Sequence, residues 1–135
     1  MLFLFDTNAV SDYMRGDVRI AARFAALTAT DQAIICSIVR GEILWGIRRL
    51  PQGRRRSDLE QAAAIALPAL QCFPVPESAG DQYSKIKLDS QSAGFTLDEN
   101  DMWIAATTLA LGATIVTRDK DFSRIVGLTI QDWTA

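Results

Sequence analysis

Asp6, Glu42, Asp101 and Asp119 are the side chains of this 135-residue chain whose placement asks for a chemical explanation. Asp6 ends the unbroken apolar run Met1-Leu2-Phe3-Leu4-Phe5. Glu42 lies three residues after Val39 and four before Gly46, on or beside the apolar stripe of its segment rather than opposite it. Asp101 precedes Ile104 and Ala105 by three and four residues, at the start of an inward face. Asp119 closely follows the run Ala113–Thr117, and Asp121 stands next to Phe122. Each acid also has a purely structural reading. Asp6 could cap a helix, Glu42 could favour a helix dipole, Asp101 could complete a capping box with Asp98, and Asp119 could belong to a turn.

The chain contains no histidine. That removes Ser-His-Asp and Cys-His nucleophilic catalysis, histidine-based acid–base chemistry and His-ligated metals together. Cys36 and Cys72 stand apart in apolar surroundings without Cys-x-x-Cys spacing, so both are expected to be buried core thiols. Any catalysis must then use carboxylates, hydroxyls, amines or a metal held by oxygen. Carboxylates packed together without a cation are costly, and one of them must stay protonated unless an ion binds. Oxygen-only clusters suit Mg²⁺ or Mn²⁺, which activate water and offset the charge of a reacting phosphodiester.

Such a site needs elements that bring four distant acids to one place. The length suits one domain over residues 1–135, and 49% apolar content is enough for a single core. The opening run predicts a strand buried on both faces. A short helix over 7–14 ends at Gly16, and a second one capped by Asp17 pairs with it as a hairpin. Ala33–Cys36 predicts a second buried strand. Ser37 is expected to cap a helix with Val39, Ile43, Ile47 and Leu50 inward, stopped by Pro51 and Gly53. A helix from about Ser57 to Leu67 follows, with Pro68 opposing its continuation. Gln71–Val75 reads as an edge strand, and a helix after Glu77 turns Ala79, Tyr83, Ile86 and Leu88 inward before closing at Gly94. Asp98 starts a helix that ends at Gly112. Ala113–Thr117 and Leu128–Ile130 supply the last strands. Strands alternating with helices give a three-layer α/β/α fold with a central, mainly parallel sheet. In a parallel sheet, strand ends and helix starts share one edge, so the four acids would converge there.

The apolar strand ending in Asp6-Thr7-Asn8, Ser37-x-x-x-Gly41-Glu42-Ile43-x-x-Gly46, Asp101-x-x-Ile104-Ala105-Ala106 and Thr117-Arg118-Asp119 with Asp121-Phe122 resemble the four motif blocks of PIN domains. The length and the ending Gly127-Leu-x-Ile-x-Asp-Trp133 resemble the VapC toxins of toxin–antitoxin operons. The resemblance implies that Asp6, Glu42, Asp101 and Asp119 form a Mg²⁺ site, with Mn²⁺ able to substitute. Asp6 and Asp101 would be direct ligands. Asn8 and Thr117 would support them, and Asp121 competes with Asp119 for the fourth place because the block-four spacing departs from the common one. It further implies an endoribonuclease acting on transfer RNA or another structured RNA, a cognate VapB-type antitoxin that blocks the site, and a homodimer within a larger complex.

Net charge is only −2, but residues 40–56 hold six arginines against one acid, a local +5. Arg48, Arg49, Arg54, Arg55 and Arg56 are therefore expected to hold RNA phosphates beside the metal. Trp45 and Ile47, with Tyr13, Met14 and Phe24, are expected in the core or in a groove for the antitoxin, and Trp103 in packing or a dimer interface. With no apolar run near the roughly 18 residues of a membrane span, a soluble cytoplasmic protein is expected. Two other readings use the same acids. An aspartate-nucleophile phosphatase wants Asp-x-Asp, where this chain has Asn8, and a Mg²⁺-binding regulatory module wants a lysine after the last strand, matched only by Lys120.

Overall fold

In the computed structural model, which describes residues 1–135, the strand Leu2–Phe5 (β1) lies at the centre of a five-stranded parallel sheet. Phe3, Leu4 and Phe5 are buried, as a strand covered on both faces requires. The other strands are Gln32–Cys36 (β2), Gln71–Phe73 (β3), Thr114–Val116 (β4) and Ile130–Gln131 (β5), in the order β3-β2-β1-β4-β5. β1 pairs with β2 through Leu4↔Ile34 and with β4 through Phe5↔Val116. The chain thus moves outward from β1 to β3, then crosses back to β4 on the other side of β1. That reversal between β1 and β4 is a switch point, where a crevice opens beyond the strands' carboxyl ends. The expected edge position of β3 is observed, and the last strand falls slightly later than Leu128–Ile130.

Six helices flank the sheet: Thr7–Met14 (α1), Val18–Ala25 (α2), Ser37–Arg48 (α3), Arg54–Ala69 (α4), Ser78–Ala93 (α5) and Glu99–Ala110 (α6). α1 packs on α2, α3 and α4, while α6 packs on α5, α3 and β4. Asp17 caps α2 through the Arg19 and Ile20 N–H groups, and Gly94 ends α5 with φ of 76°, both as expected. Phe5 is enclosed by Tyr13, Phe24 and Trp133 at edge-on ring angles, which ties the chain's end to its first strand. No helix is long and apolar enough to cross a membrane.

Several local expectations are corrected. Ser37 is the first helical residue of α3 rather than its cap; Cys36 takes the cap position without a side-chain bond. α4 begins at Arg54 and runs through Pro68 to Ala69. Pro68 sits in the final turn, close enough to the end for the helix to close around it. Leu88 is exposed, because it lies on the solvent side of the stripe set by Ala79, Ile86 and Ser90. Cys36 is buried, but Cys72 is only partly so on its short edge strand.

Candidate metal centre

Asp6 follows Phe5 directly, so the register of β1 on β4 sets it beside Thr117, and its N–H donates to the Val116 carbonyl at 3.1 Å. Its carboxylate is buried and doubly held. Oδ1 accepts the Ala9 N–H at 2.8 Å and Oδ2 accepts the Thr117 hydroxyl at 2.5 Å. Asp6 is therefore itself the cap of α1, so its capping role and its candidate site role coincide in one residue. Thr117 in turn accepts the Asp119 N–H at 2.9 Å, so one hydroxyl links the ends of β1 and β4. Burial pushes Asp6 up to about 6, against the pull of Thr117 and Ala9, and the charge of Asp119 adds to the rise.

Glu42 enters from α3, held between two other helices. Thr7 of α1 donates to Oε1 at 2.6 Å, and Asn100 of α6 donates to Oε2 at 3.3 Å. Asp101 stands in the first turn of α6. Asp98 caps that helix through the Asn100 N–H, and Asp101 makes no reciprocal bond, so the expected capping box is only half formed. Asp101 is pushed up to about 7 by burial first, then by the charges of Asp98, Glu42, Asp119 and Asp6. Asp101 thus feels the charges of Glu42, Asp119 and Asp6, and Asp6 feels that of Asp119. Asp119, not Asp121, is the block-four acid whose charge reaches Asp6 and Asp101. Asp119 also accepts the Asp121 N–H, leaving Asp121 exposed in the 3₁₀ turn Lys120–Arg124.

Thr7, Asn100 and Asp98 are the members of the site that the sequence reading passed over. Thr7 and Asn100 adjoin predicted acids, and adjacency was the only signal for them. Asn8, predicted as a support, is exposed. Buried Asp12 gives a useful contrast. It accepts Arg118 Nε at 2.9 Å and also pairs with Arg15, so its charge is neutralised inside the chain. Asp101 has no such cation partner.

The donors are all hard oxygens, and two of them resist carrying charge in the bare protein, which is the condition a divalent cation relieves. No three carboxylates stand close enough to grip one ion by themselves. An ion held here would therefore take one or two carboxylates directly and keep waters in its other positions.

The arginines separate into two groups. Arg49, Arg54 and Arg55 line a cleft of about 970 Å³ that reaches Thr7 and Glu42, and Arg15 of α1, not predicted, joins them. Arg48 and Arg56 line another cleft behind α3 and α4, where Arg56 binds Glu60 at 3.0 Å and the Leu50 carbonyl at 3.3 Å. Trp45 is not core but two-thirds exposed, at 66%, and sits on the rim of the first cleft. Tyr13 and Phe24 stack on each other, and Trp103 stacks on Tyr83 at 4.1 Å.

The PIN domain model matches residues 3–128. Ribonuclease VapC1 of Haemophilus influenzae strain R2866 is 29% identical over 139 residues, covering 99% of each chain. VapC ribonuclease Y4jK of Sinorhizobium fredii is 25% identical, covering 96% of this chain and 95% of the relative. Among solved structures, VapBC-1 of nontypeable Haemophilus influenzae superposes with a TM-score of 0.87 at 26% identity over 100% of both chains. VapBC2 of Rickettsia felis, solved bound to a promoter DNA fragment, reaches 0.89 at 21% identity over 97% of this chain and 98% of its own, a likeness of fold. With residues 3–128 of its 135 matched by the family model, the chain belongs to the PIN-domain family, and over nearly its whole length it is similar to VapC ribonucleases.

Proposed function

We propose that the protein is a Mg²⁺-dependent endoribonuclease, the toxin of a toxin–antitoxin pair. The observation that carries this reading is the placing of Asp6 and Asp119 at the ends of β1 and β4 on one shared hydroxyl, with Glu42, Asp119 and Asp6 all adding to the rise that burial gives Asp101. A divalent cation there supplies an acidified water and offsets the charge of a reacting phosphodiester. Asp6, fixed by Ala9 and Thr117, and Asp101, free of internal partners, would be its direct ligands. Glu42, steered by Thr7 and Asn100, and Asp119, steered by Thr117, are placed to orient waters or to complete the set. Arg49, Arg54 and Arg55, with Arg15, line the approach and suit the phosphates of structured RNA. Mn²⁺ would substitute, having similar ligand preferences.

The phosphatase reading is disfavoured by Asp6 itself. Both of its oxygens are engaged, which suits a ligand held still better than an attacking nucleophile. The solved relatives carrying VapBC names support a VapB-type antitoxin as partner; we further propose that it covers the cleft beside Glu42 and that the toxin pairs as a homodimer.

The test is cleavage of RNA by purified protein with Mg²⁺ present and absent. Cutting should need the metal, and Asp101→Asn should lower it by at least about a hundredfold with the fold intact by circular dichroism. An Asp101→Asn protein that cuts as fast as its parent, with the same metal dependence, sinks the assignment.

A further inference from the structure

Of the two places expected for Trp45, core or groove, the structure leaves the groove: it stands on a cleft rim. Six large apolar side chains are strongly exposed, and Trp45 is the one aromatic among them. An isolated exposed apolar residue needs no explanation. Trp45, however, stands three residues after Glu42 on α3, so the two share a helix face. It also borders both clefts that meet at Glu42, the arginine-lined one and another of about 560 Å³ reaching Asp98 and Asn100. Its ring therefore stands beside Glu42, where the arginine-lined cleft meets the second one.

The guanidinium of Arg49 lies 5.0 Å from the ring centroid of Trp45. A cation over an aromatic face holds the ring in one orientation and keeps a positive charge beside it. Aromatic rings interleaved with arginines are what single-stranded nucleic acid is gripped by, the rings taking bases and the cations taking phosphates. A peptide partner would meet the same apolar rim. The placement beside the arginines favours a nucleotide, because their guanidinium groups suit its phosphate while the ring suits its base.

We infer that Trp45, braced by Arg49, is the stacking platform for a nucleobase next to the phosphodiester presented to the acids. The inference rests on the ribonuclease reading and adds to it a residue that positions the RNA strand. Stacking is sequence-tolerant, so Trp45 contributes grip and register, and base selection is left to other contacts.

The chain's other two tryptophans make the test clean. Trp133 is 2% exposed and Trp103 is stacked on Tyr83, so a base arriving at Trp45 should dominate any quenching of tryptophan fluorescence. Binding is measured in an Asp101→Asn background, which prevents cutting, with oligoadenylate and with an abasic oligomer of equal length. Trp45→Ala should weaken oligoadenylate binding on the order of tenfold and abolish the quenching, while Trp45→Phe recovers most of the affinity. The abasic oligomer should bind all three proteins alike. Equal oligoadenylate affinity for Trp45→Ala and its parent, or equal losses for both oligomers, overturns the platform and leaves the ribonuclease reading standing. If the unsubstituted protein neither binds nor cuts RNA, the ribonuclease reading falls and the platform falls with it.

Discussion

Asp12 and Asp101 show how the surroundings of a carboxylate decide its use. Asp12 is buried against two arginines and serves the fold. Burial, and then the charges of Asp98, Glu42, Asp119 and Asp6, push the Asp101 carboxyl up to about 7. The consequence for stability follows from the sign of that shift. A folded value above the ordinary 3.8 means that the native state binds the proton more tightly than the unfolded chain. The contribution is complete below about pH 4 and is lost as pH rises toward 7. Metal-free protein should therefore lose stability across that window. Asp101→Asn should raise metal-free stability at neutral pH by about 1–2 kcal/mol, a figure reduced for the solvent that reaches this half-buried group. Urea unfolding in a chelator at pH 5 and pH 7.5 measures both effects. A substituted protein with the parent's midpoint at pH 7.5 contradicts them.

α4 carries a similar tension along its length. Arg54, Arg55 and Arg56 occupy its first turn, with no acid among them, where the helix dipole favours negative charge. Their placement costs helix stability, and a cleft that receives phosphates gives it a reason. Arg54 reaches Asp58 only at 4.0 Å and is almost wholly exposed, so little holds it to its own helix. Arg54→Glu should stabilise the fold by about 0.3–1 kcal/mol. The same change should weaken RNA binding and flatten its dependence on salt, with the slope of log affinity against log salt concentration falling by about 0.7 for single-stranded RNA. Binding across a salt series reads both quantities. An unchanged slope would place Arg54 outside the RNA path.

The site joins β1, α3, α6 and the end of β4, elements that approach only in the folded chain. A cation held among them binds the native state and not the unfolded one, so it should stabilise the whole molecule. At about a hundredfold excess over its dissociation constant, Mg²⁺ should add about 2.7 kcal/mol. The shift in thermal midpoint should be full at pH 8 and much smaller at pH 5, where protons compete at Asp6 and Asp101. A midpoint indifferent to Mg²⁺ at pH 8 would remove the metal from the account.

Apolar runs, capping residues and the absence of histidine were enough to predict the parallel α/β layers, the buried central strand and an acid-based chemistry, because burial and capping are local demands written as residue types. The sequence also placed Asp6, Glu42, Asp101 and Asp119 as the acids to watch. It did not determine strand order, since period-two and period-3.6 patterns name elements without saying which lie side by side. Only the tertiary structure put the switch point between β1 and β4, turned Thr7 and Asn100 onto Glu42, and tied Asp119 through its N–H to Thr117. It likewise divided one run of arginines between two clefts and left Trp45 in the open. Each of those outcomes depends on which side chain meets which across elements distant in the chain, and a meeting of that kind has no periodicity to betray it.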